Sequence, residues 1–182
     1  VDFSNDVNTF DFVANVDYAN LKALNFIKQN KFSIFSGIVD MKMKGRTVND
    51  VVGSIKFNKT EYKNENDTYF FDDFAITSSF KNKVRHITVN SPDIIEGEMK
   101  GDFLFEDIGK LFQNAIGSIY TNYSPFKVVT NQYIDFNFKI YNKIIEVFYP
   151  EIQLGKNTHI KGRVEIVFGV NGNNYMKLIL TM

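Results

Sequence analysis

The stretch Ile95-Glu96-Gly97-Glu98-Met99-Lys100-Gly101-Asp102-Phe103-Leu104-Phe105 decides how this chain is read. Ile95, Gly97, Met99, Gly101, Phe103 and Phe105 share one parity, and Glu96, Glu98, Lys100 and Asp102 the other. Successive side chains of a strand point to opposite faces, so the alternation predicts a strand over 94–105, oily on one side and charged on the other. Working outward, the pattern recurs. Upstream it sets Phe10, Phe12, Ala14, Val16 and Tyr18 on one face, then Phe35, Gly37, Val39, Met41 and Met43, then Val51, Gly53, Ile55 and Phe57. Further strands are predicted at about 69–80, with Phe70, Phe74, Ile76 and Phe80, and at 84–91, where Ile87 and Val89 alternate with His86 and Thr88. Downstream come Ile134, Phe136, Phe138 and Ile140, a shorter run near 144–149, then Ile160, Gly162, Val164, Ile166 and Phe168, and a last strand over 174–181. The total is about ten strands.

Turn-forming groups separate them, among them Lys44-Gly45-Arg46, Lys63 to Asp67, Lys81-Asn82-Lys83, Ser91-Pro92-Asp93, Gly155-Lys156-Asn157 and Asn171-Gly172-Asn173. Strands joined by such short links pair antiparallel, which describes a meander. One segment breaks the period. From Asp107 to Ile119 the apolar residues Ile108, Leu111, Phe112, Ala115, Ile116 and Ile119 follow helical spacing, with Lys110, Gln113 and Asn114 opposite. This helical insert, about 106–119, is expected to pack over an open end of the sheet. A short helix or turn is expected over 20–28, with Asn20 as its cap. No Pro/Gly-rich linker divides the chain, so residues 1–182 read as one β segment.

Composition limits the function. Lys+Arg and Asp+Glu both number 21, for a net charge of zero, which argues against a large nucleic-acid footprint. With no Cys there is no disulfide, thiol catalysis or thiolate metal site. The 44% hydrophobic content excludes disorder, and no run approaches the ~20 apolar residues of a membrane-spanning helix. The chain starts at Val1, which reads as a piece of a longer protein. His86 and His159 lack metal-ligand spacing, and no nucleophile elbow, phosphate loop or dinucleotide fingerprint occurs. Paired carboxylates such as Asp72 with Asp73 and Glu96 with Glu98 read as solvated strand faces. No catalytic residue, cofactor or metal is assigned, and the reading is non-enzymatic.

Glycine sits on the oily side of several strands, at Gly37, Gly53, Gly97, Gly101 and Gly162. Glycine weakens a strand, so its recurrence there asks for a bend, a bulge or a close approach. Strands bent toward their oily faces fold a sheet into a trough, about 45–50 Å long for ten strands. The trough-lining candidates are Val39, Met41, Ile55, Phe57, Met99, Phe103, Phe105, Phe136, Phe138, Val164, Ile166 and Phe168. Alternation by itself favours a plainer outcome, a sandwich or small barrel whose oily faces pack together as a structural or interaction module. A closed barrel around one small apolar ligand is a third.

Several strings bear on that choice: FVANVDYANLKALNF (12–26), SGIVDMKMKG (36–45), DVVGSIKFNKTEYKNEN (50–66), DIIEGEMKGDFLFEDIGKLFQNAIGSIYT (93–121) and Ile134 to Tyr141. In this order, with Asp107-Ile108-Gly109-Lys110-Leu111 directly after a Gly-rich strand, the chain resembles the middle part of the TamB family, the translocation and assembly module proteins of the AsmA-like group, in their Bacteroidetes form. The resemblance implies a periplasmic, inner-membrane-anchored protein with a long apolar β-groove. It also implies phospholipid acyl chains as cargo, a role in lipid transport or outer-membrane protein assembly, and an outer-membrane barrel partner of the BamA/TamA type met by regions outside this segment. With that added, the open groove is preferred to the closed core.

Overall fold

The computed structural model describes residues 7–27, 30–117, 122, 124–141, 157–168 and 174–181; within these, the side chains of 167, 168, 174–178, 180 and 181 lie outside the description. Ten strands form one sheet: β1 Asn8–Asn20, β2 Ser33–Gly45, β3 Val52–Asn64, β4 Thr68–Phe71, β5 Phe74–Lys81, β6 Val84–Ser91, β7 Ile95–Asp102, β8 Tyr133–Ile140, β9 Thr158–Phe168 and β10 Asn174–Thr181. The order is β1-β2-β3-β5-β6-β7-β8-β9-β10, with β4 against β3, and every pairing is antiparallel. The sheet is an open meander: β1 and β10 end the order and do not pair with each other. Short links between successive alternating strands leave this as the simplest pairing, because each strand finds its neighbour before a distant partner can.

Local chemistry moves several boundaries. The strand read over 94–105 stops at Asp102. Beyond it the backbone amides of Leu104 and Phe105 donate to the side chains of Gln132 (2.6 Å) and Asn49 (2.8 Å) and not to a neighbouring strand. Phe103 and Phe105 therefore leave the sheet. The run over 69–80 is two strands, broken where Asp73 takes a left-handed conformation (φ 53°), and β4 and β5 pair with different halves of β3. Residues 21–25 form a turn, with the Asn20 side chain accepting from the Ala23 amide at 3.0 Å as a cap does. The strand read near 144–149 falls outside the described residues.

The helix α1 spans Ile108–Gly117, entered through a tight 3-10 turn at Phe105–Asp107; 118–119 fall outside the described residues. Leu111 and Ala115 are buried against the sheet, with Ile108 and Phe112 packed beside them. Two helix positions reverse the sequence expectation. Asn114, read as polar face, is 2% exposed, and Ile116, read as apolar face, is 50% exposed. The Asn114 amide explains its own burial: it donates to the Phe126 carbonyl (2.9 Å) and accepts from the Phe126 amide (2.8 Å), tying the returning chain to the helix.

Asp107 anchors the helix entrance. Its buried carboxylate accepts from Lys110 Nζ (2.8 Å), the Val129 amide (3.1 Å) and Gln132 Nε2 (2.9 Å). The Lys110 ammonium first, then Gln132 and Val129, hold it below the ordinary carboxylate range against the opposing effect of burial.

Candidate functional site

Register places the apolar parities of neighbouring strands side by side. One row runs Phe12, Met41, Ile55, Ile76, Val89, Gly97, Phe138 and Ile160, crossing β1, β2, β3, β5, β6, β7, β8 and β9. Every member is half-buried and none is polar. At ~4.8 Å per strand the row is roughly 34 Å long. On the opposite face the same strands carry Glu96, Glu98, Lys100, Asp135 and Arg163, with Arg163 bonded to both Asp135 oxygens (2.9 and 3.0 Å) and to Glu165.

Two apolar clusters border this row, and Ile76, Phe138 and Ile160 of the row itself pack against the one on the side of α1. On the side of α1 lie the buried residues Ile87, Phe103, Leu111, Ala115, Ile134, Phe136 and Val164. Phe112 of the helix meets the Phe136 ring edge-on, centroids 5.3 Å apart. On the other side Ile27, Tyr62 and Ile94 are buried beside Leu21, Tyr69, Phe71, Phe74 and Ile95. From there a ladder of edge-on aromatic contacts, Phe35–Phe57 (5.9 Å), Phe57–Phe74 (5.9 Å) and Phe71–Phe74 (5.8 Å), leads back toward the row. The floor that belongs to neither cluster is the half-buried stretch Phe12, Met41, Ile55 and Val89.

The lining candidates divide along this geometry. Val39, Met41, Ile55, Phe57, Met99, Phe105, Phe138 and Ile166 are half-exposed. Phe103, Phe136 and Val164 are buried under α1, where they are core and cannot line open space, because the helix laid over them uses their faces for packing. The Phe168 side chain lies outside the described residues. Sequence alternation could not separate these groups, since it reports which face a residue takes and not what covers that face. Phe12, Ile76, Val89 and Ile160 belong to the row as well and are read from the sequence as strand residues only.

At three of the strand glycines the backbone of the neighbouring strand comes too close for a β-carbon. Gly97 (φ 152°) and Gly53 (φ 128°) have backbones that an L side chain rarely adopts, and a Cβ at either would run into the carbonyl of the neighbouring strand, from Asn137 and Lys42 respectively. Gly101 likewise abuts the Tyr133 carbonyl. Gly37 lies where β2 and β3 shift register, and β1 shifts against β2 between Val16 and Ala19. Lys59 is left-handed at the same level (φ 49°). A line of irregularities therefore crosses three adjacent strands, the device by which a sheet changes direction. Gly162 pairs with Phe136 in register and carries no side chain against that ring's strand.

Sequence reading missed a polar cluster at one margin of the trough. Arg85 shares the parity of Ile87 and Val89, so its side chain falls on the apolar face, and it is 1% exposed. It donates to the Val51 carbonyl (3.2 Å), the Ser78 hydroxyl (3.0 Å) and the Asn49 carbonyl, between the rings of Phe80 (4.4 Å) and Phe105 (4.7 Å). Asn49 sits in the tight turn Val48–Asp50 between β2 and β3, and its side chain accepts from the Phe105 amide and donates to Glu106 (2.9 Å). The β2–β3 tip thus leans over the ends of β5 and β6 to meet the segment leaving β7. The missed signal was parity: a lone cation at an apolar position.

Among the described residues no group of three His, Asp or Glu side chains is placed to hold a metal, and no helix is long and apolar enough to cross a membrane. Comparison with family models, curated proteins and solved structures finds no match to this chain.

Proposed function

We propose that this chain is a segment of an apolar conduit that holds the acyl chains of phospholipids and passes them between the two membranes of a cell envelope. One observation carries the reading: a row of half-buried apolar residues, seven side chains and Gly97, crosses eight strands in register with no polar member. Burial of hydrocarbon is worth roughly 25 cal/mol per Å² and demands no fixed geometry, so such a strip holds a chain while letting it slide. Specific polar contacts along the way would arrest it. The resemblance of the sequence to the TamB family supports the same reading. It adds a periplasmic location in an inner-membrane-anchored protein, a barrel partner in the outer membrane, and outer-membrane protein assembly as a related task. The role is non-enzymatic.

The structural alternative, a β module whose oily faces only pack together, is favoured by the closed cluster under α1 and opposed by the open strip beside it. Photo-crosslinking residues at Met41 and Phe12 separate the two. Lipid adducts several-fold more frequent there than at Lys100 on the charged face are expected, together with co-purifying phospholipid in mass spectra. Adducts equal at the three positions would reject the conduit.

A further inference from the structure

Resting on the acyl-chain reading, we propose that Arg85 receives an oxyanion, the phosphate of a lipid headgroup, at the margin of the trough. A buried guanidinium is costly unless its charge is compensated. Every partner of Arg85 is neutral: two backbone carbonyls, one hydroxyl and two aromatic rings. Among the described residues no carboxylate comes within ion-pair distance of it; the one charge that acts on it is that of Asp50, from farther off, whose Oδ1 is turned to the amides of Arg46 (2.8 Å) and Thr47 (2.7 Å) and which only partly offsets the burial. Arg85 Nε is buried with no hydrogen-bond partner at all. A planar fork of five donors, three engaged and two idle, with no anion in hydrogen-bond reach, matches a phosphate, which accepts such donors in pairs.

The location fits an amphiphile. Arg85 pairs in register with Gly101, whose β8 partner Ile134 is core, and the next apolar position along β6, Ile87, faces Met99. A headgroup held at Arg85 leaves its chains beside the apolar face. What stands in the way is the β2–β3 tip, whose Asn49 and Val51 carbonyls occupy two of the guanidinium's donors. A charged acceptor makes hydrogen bonds roughly twice as strong as a neutral one, so a phosphate competes with those carbonyls and lifts the tip. Asn49, which fastens the tip to Phe105 and Glu106, sets the cost of lifting.

Calorimetric titration of the whole chain tests this with three probes: dioctanoyl phosphatidic acid, dioctanoylglycerol with the same chains and no phosphate, and inorganic phosphate. Phosphatidic acid is expected to bind at least tenfold more tightly than dioctanoylglycerol, and Arg85→Gln to bring it down to the level of the neutral lipid. Asn49→Ala, which keeps Arg85 and frees the tip, is expected to tighten phosphatidic acid several-fold. On the unaltered protein, the Arg85 Nε–H resonance should shift with phosphatidic acid and not with dioctanoylglycerol, a readout that survives if Arg85→Gln does not fold. Equal binding of the two lipids with an unmoved resonance overturns the Arg85 site and leaves the conduit standing. Binding of neither lipid removes both. Inorganic phosphate binding as tightly as phosphatidic acid would assign the site to a free oxyanion and overturn the headgroup.

Discussion

Single residues set the shape of this sheet. At Gly97 the positive φ and the nearness of the Asn137 carbonyl leave no room for a β-carbon, so the strand approaches β8 more closely than any other residue permits. Replacing it by valine forces both the backbone and its neighbour to move. The expected cost is about 1–3 kcal/mol, read as a lowered urea midpoint. Valine at exposed Thr88, on the other face of β6, should change stability by less than about 0.5 kcal/mol. Equal effects at the two sites would mean that the close approach at Gly97 carries no constraint. Sequence showed that a glycine stood on the apolar side of this strand, but not why, because the reason is a carbonyl from residue 137, forty positions away.

At the scale of elements, the helix is held over the sheet as much by polar bonds as by its apolar face. Asp107 ties together Lys110, Val129 and Gln132, while Asn114 ties down Phe126. Because the folded protein keeps Asp107 ionised below the usual aspartate value of about 3.9, it binds fewer protons there than the unfolded chain does. Its contribution is therefore whole above pH about 5 and declines as pH falls through 3.9 toward the depressed folded value. Asp107→Asn should cost about 1–3 kcal/mol at pH 7. Its disadvantage relative to the parent should shrink at pH 3, in urea melts followed by circular dichroism. A gap that stays constant across that range would show that the charge of Asp107 is not what docks the helix. The periodicity over 107–119 announced a helix, yet it misassigned Asn114 and Ile116, because the returning segment at Phe126 offered Asn114 hydrogen bonds that an amphipathic pattern does not encode.

The whole molecule contains both a packed core and an open strip, and these should answer differently to the same insult. Phe136 lies at the heart of the cluster under α1, and an aspartate there would be a buried charge without a partner, so Phe136→Asp should abolish cooperative folding. Met41 is half-exposed on the floor beside Phe12 and Ile55, and Met41→Asp should leave most of the stability in place while sharply reducing the capture of lipid. Thermal melts and lipid extraction on the two variants distinguish them. If Met41→Asp unfolds as readily as Phe136→Asp, the strip is core as well, and the conduit reading fails.

Alternation along the chain was enough to establish the antiparallel meander, its strand faces and the position of the helix, because side-chain direction in a strand has a period of two and short links pair neighbours. It also placed the glycines on the apolar faces, and Met41, Ile55 and Phe138 on the row that crosses the sheet. Only the tertiary structure decided which apolar residues stay open. Whether Phe103, Phe136 and Val164 meet solvent or a helix depends on where the chain after Asp102 is sent, and that is governed by hydrogen bonds its amides donate to the side chains of Asn49 and Gln132, residues distant in sequence. The same long-range contacts enclosed Arg85, whose burial among neutral partners no local pattern could announce, since burial belongs to the assembled surfaces and parity to the strand alone.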